Sequence, residues 1–264
     1  MPFPSSPRVL YEKNPLDRVI CQLRFPAILK IDAELPAQFQ ERIREEFPNF
    51  TEGSELRIQL PSEIRDRIPP EILGQMVGSS TSKNYEFASQ EGEWKVNLTR
   101  SHIALDCRRY TRWEKFKEKL MIPFTALTNV YSPPFMTRIG LRYIDIIKRS
   151  NLGLEGVAWR ELLQPYVAGL LSSSDIEDEV KGFENVWDLA LPDGISRARI
   201  IARSVLAKEG GELSFMLDSD FSVSGQTSIE ETTKKLNFFN IQASRLIQWA
   251  ITGRLKEAMR PITI

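Results

Sequence analysis

Histidine and cysteine are scarce in this chain, which has one histidine, His102, and two cysteines, Cys21 and Cys107. Because His102 follows Arg100 and Ser101 in a predicted tight turn and lies near no Gly-x-Ser-x-Gly pattern, we interpret it as a surface residue. We predict no hydrolase activity that depends on it and no catalytic residues. Zinc sites need several His or Cys ligands at short spacing, so we also expect no metal site of that kind. Both cysteines fall in apolar, strand-like runs, which indicates buried free thiols.

Long apolar runs, an excess of one charge and the common nucleotide-binding loops are absent as well. No run of about 18 apolar residues and no signal-peptide pattern occurs, so we expect no membrane contact and a cytoplasmic location. The chain has 35 basic and 35 acidic residues, whereas proteins that bind nucleic acid non-specifically usually carry a basic excess. Neither Gly-x-x-x-x-Gly-Lys-Ser/Thr nor Gly-x-Gly-x-x-Gly occurs, and we expect no cofactor.

An internal repeat is the most informative feature that the sequence does contain. Leu23-Arg24-Phe25 returns as Leu141-Arg142-Tyr143, and Ala104-Leu105-Asp106-Cys107 returns as Met216-Leu217-Asp218-Ser219. The offsets are 142 − 24 = 118 and 218 − 106 = 112 residues, so the two copies stay nearly in register. This pattern predicts a tandem duplication, with one copy in residues 1–132 and the other in residues 133–264.

Each copy reads as a strand, a helix, three or four strands and a long helix. Alternating apolar and polar residues predict the strands, and apolar residues at every third or fourth position predict the helices. The predicted strands are Val19–Phe25, Leu56–Leu60, Tyr85–Gln90, Trp94–Thr99, Ile103–Arg109, Arg138–Lys148, Val180–Leu191, Ser196–Leu206 and Leu213–Ser222. The predicted helices cover residues 35–47, 113–130, 159–171 and 228–260, and Ser228 with Glu231 forms a capping box at the start of the last one.

This order of elements predicts an α+β fold in which curved antiparallel sheets carry helices on one face. Two tandem copies would form a saddle similar to that of the TATA-binding proteins, an analogy of fold that carries no function. Strand alternation then places Leu141 and Leu217 under the helices. Arg142, Asp218 and their like-facing neighbours are therefore expected on the opposite side of the sheet, which we call the open face.

Charged residues are concentrated on the predicted open face of the second copy. A hairpin turn at Lys208-Glu209-Gly210-Gly211 would place residues i and j opposite each other where i + j = 419. Arg199 would then face Asp220, and Arg203 would lie diagonal to Asp218. Two interpretations stay open: an ion-pair ladder worth roughly 0.2–1 kcal/mol per pair, or paired aspartates that bind Mg²⁺ or Mn²⁺ as in many nucleases.

Further residues extend this surface. In the first copy a tight turn gives i + j = 201 and places Lys95 opposite Asp106. Arg24 and Arg142 occupy matching positions in the two copies, and their guanidinium groups suit either an anionic ligand or a neighbouring aspartate such as Asp106. Together with Arg197, these side chains complete the surface that we expect to bind a ligand or a partner.

Several of these motifs resemble a sporadically distributed family of bacterial proteins that has no assigned activity. The resemblance rests on Tyr11-Glu12-Lys13-Asn14-Pro15-Leu16, Val19-Ile20-Cys21-Gln22-Leu23-Arg24-Phe25, Arg138-Ile139-Gly140-Leu141-Arg142-Tyr143-Ile144, Met216-Leu217-Asp218-Ser219-Asp220-Phe221 and Leu255-Lys256-Glu257-Ala258-Met259. It spans nearly the whole chain and implies a link to mobile or defence-related genes. The family often has a histidine in the final helix where this chain has Asn240, which weakens any scheme that needs a histidine base there.

Three functions are compatible with these residues. The first is a non-catalytic binding protein that holds a protein partner or an anionic ligand. The second is nucleic-acid binding through an arginine-lined sheet face, and the third is a metal-dependent nuclease built on Asp218 and Asp220. The absence of a catalytic constellation favours the first, and assembly with copies of the same chain is left open.

Overall fold

The computed structural model describes residues 3–56, 81–206 and 212–262, which fold into an α+β protein with one large sheet. Its strands are Leu10–Tyr11 (β1), Leu16–Arg24 (β2), Asn49–Leu56 (β3), Thr81–Ala88 (β4), Trp94–Thr99 (β5), His102–Cys107 (β6), Met136–Ile147 (β7), Glu184–Ala190 (β8), Ser196–Leu206 (β9), Leu213–Thr227 (β10) and Pro261–Ile262 (β11). Its α-helices are Lys30–Ala33 (α1), Ala37–Ile43 (α2), Trp113–Tyr131 (α3), Arg149–Leu152 (α4), Pro165–Ala168 (α5), Ile229–Ala250 (α6) and Gly253–Ala258 (α7).

The large sheet joins both halves of the chain. Its strand order is β3-β4-β5-β6-β2-β7-β10-β9-β8, and all neighbours are antiparallel. The first long strand of each half, β2 or β7, lies at the centre, and Ile20 is opposite Arg142 where they pair. On its other side, β2 is flanked by β6 and β7 by β10, the last strand that its own half adds to this sheet. The two predicted units therefore share one continuous sheet.

Both predicted hairpin registers are confirmed. Asp220 lies opposite Arg199 on β9, and Lys95 lies opposite Asp106 on β6, as the sums of 419 and 201 require. The turn predicted at residues 208–211 lies outside the described residues, as do positions 57–60 of the predicted strand Leu56–Leu60.

Alternation divides the sheet into a covered face and the open face. On β7 the odd-numbered Ile139, Leu141 and Tyr143 are buried in the core, whereas Arg142 between them is exposed. The helix α6 packs on β7 and β10, and α3 packs on β6. The predicted orientation of the central strands is therefore confirmed, and the apolar core lies between the sheet and these two long helices.

The helix predicted over residues 159–171 is wrong. Residues 159–161 and 169–172 form 3₁₀ turns, and only residues 165–168 form an α-helical turn. Pro165 cannot continue a helix because it lacks a backbone N–H, and Gly169 leaves the helical region with a φ of 55°. The apolar residues of this segment are still buried, and the Trp159 ring lies 5.8 Å from that of Phe215. Burial therefore explains their spacing without a helix.

Two other predicted helices form over shorter ranges. The final helix is interrupted at Ile251, which is extended and forms a bridge with Leu163, and Thr252 then caps α7. The helix predicted over residues 35–47 forms only over Ala37–Ile43. Within the described ranges, no helix is long and apolar enough to cross a membrane.

The predicted N-cap of α6 is confirmed and gives a testable prediction. Ser228 Oγ accepts a hydrogen bond from the backbone N–H of Glu231 at 3.3 Å, which satisfies one of the unpaired donors at the helix start. Replacing Ser228 with alanine should lower the free energy of unfolding by about 1 kcal/mol, whereas Ser228→Asn keeps an acceptor and should change it little. Urea unfolding measures both variants, and equal losses in the two would show that the cap is not the cause.

The two cysteines are buried free thiols, as predicted. Burial raises the pKa of both, that of Cys107 to about 11. Neither thiol is a candidate nucleophile, since the thiolate is the reactive form.

Candidate functional site

The predicted charged residues of the open face meet as a ladder of ion pairs. Arg142 Nε donates to Asp218 Oδ1 at 2.7 Å, and its Nη2 binds the other oxygen of the same carboxylate. Arg138 Nη2 donates to Asp220 Oδ2 at 2.7 Å. Hydrogen bonding to Asp218 raises the pKa of Arg142. Both aspartates of the hypothetical metal pair are thus engaged by arginines.

The outer arginines of the ladder pair with the edge strand β8. Arg199 Nη1 lies 3.0 Å from Asp188 Oδ2, and Arg203 Nη1 lies 3.7 Å from Glu184 Oε2. Arg199 is opposite Asp220 in register, but Arg138 already binds that carboxylate. The arginines of this surface are therefore largely neutralised by carboxylates of the same sheet.

Arg138 can cross the sheet because residue 140 is a glycine. A Cβ atom at Gly140 would lie 2.3 Å from Nη1 of Arg138, so the guanidinium occupies the space above the glycine. From there it reaches Gln22 Oε1 at 3.3 Å on β2 and Asp220 on β10. The glycine of the Arg138–Ile144 motif is therefore explained by packing, since it leaves room for the Arg138 side chain.

Arg24 does not occupy the position predicted for it. It lies at the end of β2, and its Nε donates to Gln22 Oε1 at 3.0 Å rather than to an aspartate. Arg24 and Arg197 are exposed and make no ion pair with any residue of the described ranges. They lie toward the same end of the sheet, since Arg24 is opposite Arg138 and Arg197 is opposite Ser222.

Arg18 makes with Asp106 the contact that Arg142 makes with Asp218. Its Nε donates to Asp106 Oδ1 at 2.7 Å and its Nη2 binds the other oxygen, the same two-point contact that Arg142 makes with Asp218. The arginine offset is 142 − 18 = 124 residues, against 112 for the aspartates. The nearly constant offset pointed to Arg24 as the partner of Asp106, whereas Arg18 binds it, and β2 has a register shift between Leu16 and Arg18.

His102 is not a surface residue of the turn. It is the first residue of β6, is 8% exposed, and its Nδ1 lies 3.0 Å from Thr99 Oγ1. A cross-strand hydroxyl thus holds the ring in place at the end of the β5–β6 hairpin.

A second candidate site, missed by the sequence reasoning, lies on the covered face. A cavity of about 90 Å³ is lined by β7, β10, α6 and the leading segment of the chain. We call it the arm cavity, and we call residues 3–15 the arm.

Asp145 is the acidic residue of the arm cavity. It is 8% exposed, and no residue in the described ranges donates a hydrogen bond to its carboxylate. Burial, together with the nearby charge of Asp218, raises the pKa of Asp145 to about 7. A carboxylate without a donor in a buried position is costly, so Asp145 is the residue in this cavity that most needs a ligand.

Tyrosines and an amide surround this carboxyl group. Asn240 Nδ2 donates to the Tyr143 hydroxyl at 3.2 Å, and the Tyr110 ring meets that of Tyr143 edge to face at 6.1 Å. Tyr11 closes the cavity from the arm, and its hydroxyl has no hydrogen-bond partner in the described ranges. Burial raises the pKa of all three tyrosines, that of Tyr11 to about 12, so they are neutral at physiological pH.

The arm is held down at several points along its length. Phe3 is fully buried, with its ring 5.5 Å from that of Trp249 on α6. Arg8 binds both oxygens of Glu114, a contact that lowers the pKa of this carboxyl to about 2. The strands β1 and β11 then pair. The roof of the cavity is thus an ordered part of the fold.

The chemistry of the arm cavity favours binding over covalent catalysis. Its described lining contains no histidine, cysteine or lysine. Ser219 Oγ donates to the Tyr143 carbonyl oxygen at 3.4 Å and forms no hydrogen bond with a carboxylate in the described ranges. No group of three or more metal-ligating side chains occurs in the described ranges. What remains is one buried acid, neutral hydroxyls, two amides and Arg8, which is bound to Glu114.

A sequence signal for this site was present. Ile139, Leu141 and Tyr143 are predicted to face inward, and the same alternation places Asp145 inward two residues later. Asn240 was noted only because it replaces a histidine of the resembled family. No known protein-family profile matches the chain, and no curated protein is significantly similar to it. The family resemblance therefore stays a prediction.

Proposed function

We propose that this protein is a non-catalytic binding protein whose ligand is a small polar molecule held in the arm cavity. The observation that carries the proposal is the buried carboxyl of Asp145, which lines a cavity of about 90 Å³ without a hydrogen-bond donor from the described residues. Polar groups of this kind are paired in folded proteins, by protein, water or ligand. A ligand that pairs with Asp145 would remove the cost of its burial.

The test is a panel of small probes observed at the side-chain amide of Asn240. Ethanol, urea, formamide, acetate, ethylammonium and guanidinium are added separately at millimolar concentration to the ¹⁵N-labelled protein. We expect at least one probe to shift the Asn240 amide resonances with saturation, because this amide lines the cavity. In Ala243→Phe, which fills the cavity from α6, the shift should be lost.

A neighbouring substitution serves as the control. Ile241→Phe adds an aromatic ring at a position of α6 that is 50% exposed, and it should keep the response. Asp145→Asn provides a second cavity variant if Ala243→Phe does not fold. The absence of a saturable shift with every probe, or its persistence in both cavity variants, would rule out the arm cavity as the binding site.

A second candidate function is contact with an anionic partner at one corner of the open face. Arg24 and Arg197 are exposed there and make no ion pair within the described ranges, and Arg138 lies between them. Reversing Arg24 and Arg197 to glutamate would not break an ion pair, unlike reversal of Arg142. Fluorescence anisotropy with a labelled DNA duplex over a salt series would test nucleic-acid binding at this corner. Arg108→Glu is the control, because Arg108 is exposed just after β6, at the end of that strand away from Arg24. Equal affinity in all variants would exclude this corner.

We also propose that the sheet arose by internal duplication. Asp106 lies opposite Ile20, two residues beyond Arg18, and Asp218 lies opposite Ile144, two residues beyond Arg142. The same arginine–aspartate contact thus occurs once in each half, which supports a pseudo-symmetric origin. A saddle-like shape similar to that of the TATA-binding proteins would follow from this symmetry. Independent superposition of residues 15–130 on 135–260 tests it, with Arg18 expected to fall on Arg142.

A further inference from the structure

The arm cavity contains an acidic group that no cation of its surroundings balances. Arg8, at the rim, is engaged by both oxygens of Glu114. Asp218, close to Asp145 but on the open face, is bound by Arg142. When ionised, Asp145 therefore gives the cavity a net negative charge.

No donor of the described lining forms a hydrogen bond with Asp145. A carboxylate only accepts, and the Asn240 amide donates to the Tyr143 hydroxyl at 3.2 Å. The Ser219 hydroxyl donates to the Tyr143 carbonyl oxygen at 3.4 Å. A ligand that satisfies Asp145 must therefore bring N–H or O–H donors of its own.

Aromatic rings form a further part of the lining. Tyr11, Tyr110 and Tyr143 all border the cavity. The negative face of an aromatic ring attracts cations, an effect that grows when water is excluded. The negative charge of Asp145, its need for hydrogen-bond donors and the aromatic lining all favour a cationic ligand with N–H donors.

We propose that the arm cavity binds a small organic cation with N–H donors, such as a protonated amine or a guanidinium group. This inference rests on the proposed function and specifies its ligand class. A cavity of about 90 Å³ suits a small ligand of this kind. A cation of this size can donate to Asp145 and lie among the three tyrosines.

Two isosteric pairs of probes test the inference. Guanidinium and urea have nearly the same shape, as do ethylammonium and ethanol, but only the first of each pair is charged. Dissociation constants are measured from the Asn240 amide shifts at constant ionic strength, with NaCl as the balancing salt. We expect the cations to bind at least about tenfold more tightly than their neutral partners. In Asp145→Asn this preference should be lost.

Asp188→Asn is the matched control, because Asp188 is 65% exposed on the edge strand and faces away from the cavity. It should keep the preference for cations. Tighter binding of urea or ethanol than of the cations would overturn the inference and leave the proposed function standing. No binding of any probe would overturn both. A saturable response to NaCl alone would assign the site to an inorganic ion and would also contradict the inference.

Discussion

Replacing Asp145 by asparagine should make the ligand-free protein more stable at pH 8 and leave its stability nearly unchanged at pH 4. The pKa of Asp145 is raised from 3.8 to about 7 in the folded protein, mainly by burial. Between these values the folded state holds more protons than the unfolded state, so stability falls as the pH rises from 4 to 7. The difference of about 3 pKa units corresponds to a penalty on the order of 4 kcal/mol.

The measurement is urea unfolding of both proteins at pH 4, 5, 6, 7 and 8. The difference in unfolding free energy between variant and wild type should grow across this range and level off near pH 8. Groups such as Glu114 and Asp193, whose pKa values are lowered, titrate in both proteins and cancel in the difference. Asp188→Asn, at an exposed aspartate of β8, is measured alongside as the matched control. A flat difference for Asp145→Asn would mean that its carboxylate is solvated or paired.

Replacing Arg142 by methionine should destabilise the protein by roughly 2–4 kcal/mol. The Asp218 side chain is only 6% exposed, whereas that of Arg142 is 44% exposed. Removal of the arginine thus leaves a buried carboxylate without its two donors, and this desolvated charge is the cost. Arg199→Met is the control, because Arg199 and Asp188 are both more than half exposed, and a pair of that kind contributes about 0–1 kcal/mol.

A double variant separates the lost charge pairing from lost packing. If the unpaired charge is the cause, Arg142→Met with Asp218→Leu should regain most of the stability, because the carboxylate is gone. Urea unfolding of the single and double variants measures this recovery. If the single and double variants were equally destabilised, the cause would be the lost packing of the aliphatic part of the Arg142 side chain. For the same reason, charge reversal at Arg142 does not test partner binding without also changing stability.

The sheet was largely predictable because its strands alternate and because turn-type residues separate two pairs of predicted strands in the sequence. Asp220 opposite Arg199 and Lys95 opposite Asp106 follow from those turns alone. The helix at residues 159–171 was not predictable in the same way, since regularly spaced apolar residues suit any segment that packs on a sheet. Pro165 and Gly169 were the visible warnings.

The candidate sites were only partly predictable from local sequence patterns. The arginine–aspartate pairs of the open face could be placed from strand alternation, but the choice between Arg18 and Arg24 depends on the alignment of β2 with β7. The inward position of Asp145 could likewise be predicted from strand alternation. That it lines a cavity depends on how Tyr11 of the arm and Asn240 of α6 pack above it. These residues are far apart in the chain, and no spacing in the sequence connects them.

The most direct test is an NMR titration of the Asp145 side-chain carboxyl carbon, with and without ethylammonium. In the free protein the carboxyl should titrate with an apparent pKa near 7. Ethylammonium should lower this value, because a bound cation favours the ionised form. A free-protein pKa near 4, or one that ethylammonium leaves unchanged, would contradict the proposal that Asp145 is an unpaired acid in a cavity that binds a cation.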